Sequence, residues 1–341
     1  MSEFYKLNPS LKIAVTGGSG FLGKEIISML LNIGCEDIIS IARKPQHHYS
    51  KSKIKSQSAD ISDYKSFSKY FKGVDVVFHT AAKASIWGKY KDFYNINTIG
   101  TENIIKACIE NNVPVLVYTS SPSVVSSASN LENVNENIPY PEKFFSFYAK
   151  TKALAEDKIL TQSPSLRTIA LRPHLIWGPD DPHILPRIIK KSHAGKLLRV
   201  GEGSNIVDLT YIKNAAFAHL LAAETLLSSK KLSGKAYFIT DDSPVNLWDW
   251  INNFLLQIGM QKINKSISEK NALIAGKLFE IFYSLFNLSS EPPITVFSAL
   301  QLSHSHYFDI SAAKKDLGYH TIIKPDDALQ NTVDFFKSKL P

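Results

Sequence analysis

The stretch Lys12–Ile27, KIAVTGGSGFLGKEII, decides how the rest of the chain reads. Ile13, Ala14 and Val15 form a short apolar run of the kind that makes a strand buried on both faces. Glycines begin where that run ends, at Gly17, Gly18, Gly20 and Gly23. Beyond Gly23 the apolar residues fall at helical spacing, with Ile26, Ile27, Leu30 and Leu31 on one face. The local order is therefore strand, glycine turn, helix. In such a unit Gly17 permits the tight turn, Gly20 lets backbone approach a pyrophosphate with no Cβ between them, and Gly23 lets the helix pack on the strand. The helix N-terminus, with Phe21 and Leu22 in its first turn, offers free N–H groups and partial positive charge to phosphates. These features predict a dinucleotide site on a Rossmann-like, doubly wound parallel α/β sheet, against the plainer reading of a connecting turn.

The glycine spacing is GxxGxxG, preceded by TGG, instead of the GxGxxG of most dehydrogenases. That form resembles the extended short-chain dehydrogenase/reductase superfamily. A second apolar run, Asp37–Ile41, ends in Ala42-Arg43-Lys44. At the end of the second strand a carboxylate binds the ribose 2′-hydroxyl of NAD, whereas an arginine accommodates the 2′-phosphate of NADP. Ala42 stands where the acid is expected and Arg43 follows it, which favours NADP(H) over NAD(H). The competing reading makes Arg43 and Lys44 the start of a solvated basic loop through His47, His48, Lys51, Lys53 and Lys55. Asp60 and Ile61 close a third predicted strand; the resemblance implies that they contact the adenine, and a surface-turn aspartate is the alternative.

Val74–His79 reads as another buried strand, ending in His79-Thr80-Ala81-Ala82. The small residues Ala81 and Ala82, just past its carboxyl end, leave room for a cofactor against the backbone. His79 reads as a hydrogen-bonded structural histidine. In the next helix Asn97, Gly100, Thr101 and Asn103 make an NxxGTxN pattern similar to the superfamily's fourth helix, which implies that Asn97 braces the active-site backbone.

Val115–Ser123, VLVYTSSPS, is a strand that delivers hydroxyls at its carboxyl end. The helical stretch Phe144–Leu160 follows, with Tyr148 and Lys152 at i and i+4 on one face. Reducing a ketone with a nicotinamide takes a hydride and a proton for the developing alkoxide. An unperturbed tyrosine, with pKa near 10, gives and takes protons poorly at neutrality. A cation one turn away favours the phenolate and draws that value down, so Lys152 is expected to tune Tyr148 and to hold the nicotinamide ribose. Ser121 is the candidate donor to the substrate oxygen, with Ser123 as runner-up. Arg167–Trp177, RTIALRPHLIW, then Gly178-Pro179-Asp180, resembles the superfamily segment lining the nicotinamide, which places Pro173 and the backbone after it against the ring. His174 reads as a backbone contact with a variable side chain. With no HExxH or comparable spacing, no metal is expected.

From His183 onward the strand–helix alternation breaks down. Residues 1–182 are read as an NADP-binding Rossmann domain and 183–341 as mainly a smaller, mixed substrate lobe, with some later elements returning to the first. Arg199–Asn214, RVGEGSNIVDLTYIKN, resembles the segment that crosses the substrate cleft of extended members. In nucleotide-sugar epimerases and dehydratases an arginine directly before the acid commonly grips the diphosphate, but here Val207 precedes Asp208, which favours an apolar substrate. Residues 272–288 are strongly hydrophobic, with a narrow polar stripe from Lys277, Glu280, Ser284 and Asn287. That helix is expected either to wall a greasy pocket or to lie on a membrane surface, with simple core as the third reading. His304 and His306 read as a solvated pair, against the alternative of a metal chelate. YFDISAAKKDLGY, Tyr307–Tyr319, leads to a last amphipathic helix, Pro325–Lys337.

The composition agrees with a soluble enzyme. At 341 residues, 44% hydrophobic and 21% charged, the chain can bury a sizeable core. Its net charge is +8, yet no long Lys/Arg block points to nucleic acid. Cys35 and Cys108 form neither a CxxC nor a disulfide framework. The N-terminus lacks a secretory pattern, and no apolar run reaches the roughly 18 residues that span a bilayer, so a cytoplasmic protein is expected.

The phrases FHTAAKASIWGKY, YTSSPSVV, LRPHLIWGPDD, VGEGSNIVDLTYI and GKAYFITDDSPV resemble the 3β-hydroxysteroid dehydrogenase family. Within it they are most similar to a bacterial branch, the 2-alkyl-3-oxoalkanoate reductases of olefin biosynthesis. The resemblance implies NADPH-dependent reduction of a two-tailed β-keto acid, with Ser121, Tyr148 and Lys152 catalytic. Alternatives are a 3β-hydroxysteroid or sterol dehydrogenase, a nucleotide-sugar epimerase or dehydratase, and a non-catalytic NADP-sensing regulator. Family members often pair through helices flanking the active site, so a homodimer is left open.

Overall fold

A computed structural model describes residues 7–44, 54–162 and 165–339; the basic stretch through His47, His48, Lys51 and Lys53 lies outside the described residues. The main sheet has seven strands: β1 (Ile13–Thr16), β2 (Ile38–Ala42), β3 (Lys55–Ser58), β4 (Val76–His79), β5 (Val115–Thr119), β6 (Arg167–Pro173) and β7 (Lys235–Ile239). Their order is β3-β2-β1-β4-β5-β6-β7, and every pairing is parallel. β1, β2 and β4 are buried along their whole length, as strands covered by helices on both faces must be.

Side-chain alternation divides the core in two. Ile13 and Val15 point to the face covered by α1 (Phe21–Ile33), through Ile26, Ile27 and Leu30. Ala14 points to the opposite face, where α2 (Gly100–Glu110) and α3 (Phe147–Leu160) contribute Ile104, Cys108, Ala155 and Ile159. A later helix, α4 (Ile212–Ser228), packs beside α1, and β7 pairs with β6, so both return to the main sheet.

β1 lies between β2 and β4, so the chain leaves its carboxyl end at the point where strand order reverses. In open α/β sheets the ligand crevice forms there. A smaller four-stranded sheet joins Val245–Asn246, Ile206–Val207, His306–Phe308 and Leu131–Val134, tying the last third of the chain to the middle.

The hydrophobic segment forms α5 (Glu269–Leu285) and packs on α6 (Val296–Ser303). Its buried residues are the small ones, Ala272 and Gly276. A Cβ on Gly276 would stand 2.8 Å from Thr295 C and Val296 N, which is why only glycine lets the helices meet this closely. Glu280 faces the same way and accepts the Val296 N–H at 2.8 Å. The sequence places a polar stripe on a greasy helix; the structure turns Glu280 inward and leaves the large apolar side chains in solvent.

Candidate active site

Gly17 adopts φ +74° and donates its N–H to Ile41 O at 2.7 Å, which fixes the glycine turn to the end of β2. A Cβ at Gly17 would fall 2.7 Å from Ala81 N and from Thr80 Oγ1. The turn is thereby pressed against the carboxyl end of β4, where Ala81 and Ala82 follow. A Cβ on Gly23 would stand 2.3 Å from Gly17 O, so the helix start is also held close. No side chain caps α1, which leaves its first-turn N–H groups, through Phe21, Leu22 and Gly23, to an anion.

Arg43 is exposed two residues beyond Ile41. Ser58 Oγ donates to Arg43 O at 3.2 Å and Ala59 N–H to Ala42 O at 3.1 Å, so Arg43 and Asp60 share one rim of the crevice. Asp60 Oδ1 accepts from Ser62 N–H and Oγ at 2.9 and 2.8 Å, and Asn103 Nδ2 donates to Ile61 O at 2.9 Å. These residues line the end of the crevice that would take the diphosphate and adenosine of a dinucleotide.

Across the crevice, α3 starts where Ser146 Oγ accepts the Ala149 N–H at 3.1 Å. Its first two turns carry Tyr148 and Lys152 toward the end of β5. Lys152 Nζ donates to Thr119 O at 2.5 Å and lies 4.0 Å from the centre of the Tyr118 ring. Ser123 donates to Ser121 Oγ twice, from its hydroxyl at 3.0 Å and its N–H at 3.2 Å. A hydroxyl has two acceptor lone pairs, so Ser121 has only its proton left to offer, and the Tyr148 phenol is the group beside it.

Burial pushes the Tyr148 pKa up, and the Ser121 hydrogen bond pulls it partly back. Burial brings the Lys152 ammonium down to about 7, against which Glu156 one turn on raises it. The sequence reading expected the lysine to draw the phenol down. In the structure the phenol holds its proton, which is the form needed to protonate an alkoxide, while Lys152 is held by a carbonyl and a ring face.

Buried groups brace this constellation. Glu156 is wholly buried, pairs with Arg172 through contacts of 2.6 and 3.0 Å, and accepts from Tyr140 Oη at 2.7 Å. Asn97 lies in a π-helical stretch, Tyr94–Ile99; its Nδ2 donates to Thr151 Oγ1 at 3.1 Å and Lys83 O at 3.2 Å, and its Oδ1 accepts the Lys83 N–H at 2.7 Å. His79 bridges Thr16 and Thr101 at 2.7 and 3.0 Å, and burial lowers its pKa to about 3, so it is neutral. Thr119 donates to His219 Nε2 at 2.7 Å, because the other ring nitrogen donates to Ala215 O. Glu156 and His219 escaped the sequence reading. The signal for Glu156 was an acid at i+4 from Lys152 on one helix face.

Pro173 ends β6 beside Ile239 of β7, and Leu175, two residues on, takes φ +45°, a left-handed backbone at the crevice. His174 donates from Nε2 to His306 Nδ1 at 2.6 Å, since His306 Nε2 must donate to Gln301 O. His306 is thus buried against His174, which corrects the solvated His304–His306 pair; His304 faces Glu269 at 3.3 Å. Among the described residues no cluster of three metal-ligating side chains exists.

A profile of the 3-beta hydroxysteroid dehydrogenase/isomerase family matches residues 14–268. The chain belongs to that family. It is 39% identical over 326 residues to the 2-alkyl-3-oxoalkanoate reductase of Stenotrophomonas maltophilia, covering 94% of this chain and 98% of the relative. The Shewanella oneidensis reductase of the same description is also 39% identical, over 93% of this chain and 84% of its own. Human sterol-4-alpha-carboxylate 3-dehydrogenase, decarboxylating, is 31% identical over 97% of this chain and 89% of its own. Among solved structures, MoeE5 in complex with UDP-glucose and NAD superposes with TM-score 0.74 over 97% of this chain and 100% of that one, at 20% identity, a likeness of fold. This family member is an NAD(P)-dependent oxidoreductase acting on CH–OH groups.

Toward the last third of this family member, Val207 is fully buried and paired with Val245 and His306. Asp208 accepts the Phe308 N–H at 2.8 Å through Oδ2, while Oδ1 has no partner among the described residues. Burial pushes its pKa up to about 7.

Proposed function

We propose that this chain uses NADPH to reduce the ketone of a 2-alkyl-3-oxoalkanoate, a β-keto acid with two apolar tails. The observation that carries the chemistry is the pair of hydrogen bonds from Ser123 to Ser121 Oγ, which leaves the Ser121 proton for a substrate oxygen beside a Tyr148 phenol that burial keeps protonated. The substrate class rests on the two reductases at 39% identity, and on Val207 in the place of a diphosphate-gripping arginine.

The first-turn N–H groups after Gly17 and Gly20 would hold the diphosphate, Arg43 the 2′-phosphate, and Asp60 with Ile61 the adenine. Ala81 and Ala82 would let the nucleotide lie against the backbone, Lys152 would hold the ribose hydroxyls, and Pro173 would back the ring. When bound, NADPH supplies the hydride. The residues of the chain handle the oxygen: Ser121 Oγ donates to it and Tyr148 Oη delivers its proton as negative charge grows there. Arg172, Glu156 and Asn97 hold α3 and the loop at Lys83 in place.

The test is NADPH consumption by the purified protein with a 2-alkyl-3-oxoalkanoate, a 3-oxosteroid and a nucleotide sugar in parallel. Turnover confined to the β-keto acid supports the proposal. Turnover with the steroid alone transfers it to the second reading, a 3β-hydroxysteroid dehydrogenase, which the 31% identity to the human sterol enzyme favours.

A further inference from the structure

The outward face of α5 and the residues after it carries Ile274, Leu278, Ile281, Phe282, Leu285 and Phe286, which are 50–76% exposed. At 3.6 residues per turn this face lies about 180° from Ala272, Gly276 and Glu280, which are seated on α6. The close fit at Gly276 keeps the helix from rolling its apolar side inward. Soluble surfaces rarely present so many large apolar side chains together unless something covers them.

Two observations say what covers it. The face continues into the loop before α2: Trp87 Nε1 donates to Leu288 O at 3.1 Å, and its ring meets Tyr283 edge-on at 6.1 Å. The exposed lysines of α5 and of the stretch after Trp87, Lys270, Lys277, Lys89 and Lys91, have no ion-pair partner among the described residues, against one exposed acid there, Asp92, and Lys150 of α3 lies beside them over the Tyr90 ring at 5.5 Å. The acids of α5 are engaged elsewhere, Glu269 with His304 and Glu280 with the Val296 N–H. An apolar face with aromatic rings and a lysine rim matches the boundary of an anionic bilayer. Two copies meeting through this face would bring like-charged rims together.

We propose that this face docks on an anionic lipid surface. The loop at its edge is the one Asn97 ties to Thr151, beside Lys152, so docking sets the mouth of the active site against the bilayer. Loading of a lipid-like substrate from that phase rests on the function proposed above; the docking itself does not.

The experiment is flotation of the purified full-length protein with phosphatidylcholine vesicles, with and without phosphatidylglycerol. The wild type is expected to float with the anionic vesicles and to be released by high salt. L278D/F282D should float at least tenfold less while reducing a short, water-soluble 3-oxo acid at the wild-type rate, which shows that it is folded. Wild type that stays in solution with anionic vesicles overturns the proposal. So does a dimer, seen by sedimentation velocity, that L278D/F282D dissociates. Flotation without reduction of any ketone supports the docking face and counts against the substrate reading.

Discussion

Replacing Glu156 by Gln perturbs both the support and the electrostatics of the site. Glu156 and Arg172 have side-chain exposures of 0% and 4%, and their contacts of 2.6 and 3.0 Å make a bidentate pair. Arg172 Nη1 already lacks a partner among the described residues, so losing the carboxylate leaves a buried cation poorly compensated. Breaking such a pair from one side costs about 3–5 kcal/mol. At about 2 °C per kcal/mol for a chain of this size, Tm should fall by roughly 6–10 °C. Removing both charges, as in Glu156→Gln with Arg172→Met, should cost less than the single change, because no buried charge is left unpaired. Glu156 also raises the Lys152 pKa, so the single variant should lose the ammonium at lower pH. The alkaline limb of kcat/KM against pH then moves to lower pH. Thermal unfolding and a pH profile measure the two effects. A Glu156→Gln variant that melts with the wild type, or a double variant that melts below the single, would refute the reasoning.

Further outcomes follow from other parts of the site. Arg43→Ala should raise KM for NADPH about tenfold or more, as expected for losing a charge-assisted hydrogen bond, and leave KM for NADH within about twofold; equal losses with both would mean that Arg43 does not read the 2′-phosphate. Ser121→Ala should lower kcat by about 100-fold or more, as for removing one oxyanion donor, while Ser123→Ala, which keeps its N–H to Ser121, should lose about tenfold or less. Asp208 has a folded pKa of about 7, raised by burial from the ordinary 3.8, so below pH 4 both states are protonated and it costs nothing; the cost grows between pH 4 and pH 7 and stays at its full value above. Asp208→Asn should therefore raise Tm at pH 8 relative to wild type and change it little at pH 4, as differential scanning calorimetry can show.

The parts of this molecule that were legible in the chain are those where one residue type solves a local problem. The run Ile13–Val15 followed by Gly17 and Gly23 could be read because only glycine tolerates the positive φ and the approach to Ala81. Tyr148 and Lys152 at i and i+4 could be read because helix periodicity alone sets them on one face. His306 could not: its burial depends on His174, 132 residues away, and no local pattern carries that pairing. The direction of the Ser121–Ser123 hydrogen bond was equally hidden, since it depends on the turn after β5. On α5 the period was visible, but nothing local says which face meets α6. Gly276 decides it, through a backbone approach that periodicity does not register.

The central claim is that a buried phenol protonates a ketone oxygen while a hydride reaches the ketone carbon. The direct measurement uses NADPH with deuterium at both C4 positions and a 2-alkyl-3-oxoalkanoate, with mass spectrometry of the product. The wild type should place one deuterium on the carbinol carbon. Tyr148→Phe should form no labelled alcohol while binding NADPH with wild-type affinity. A deuterium-free product from the wild type, or labelled alcohol from Tyr148→Phe at the wild-type rate, would contradict the account.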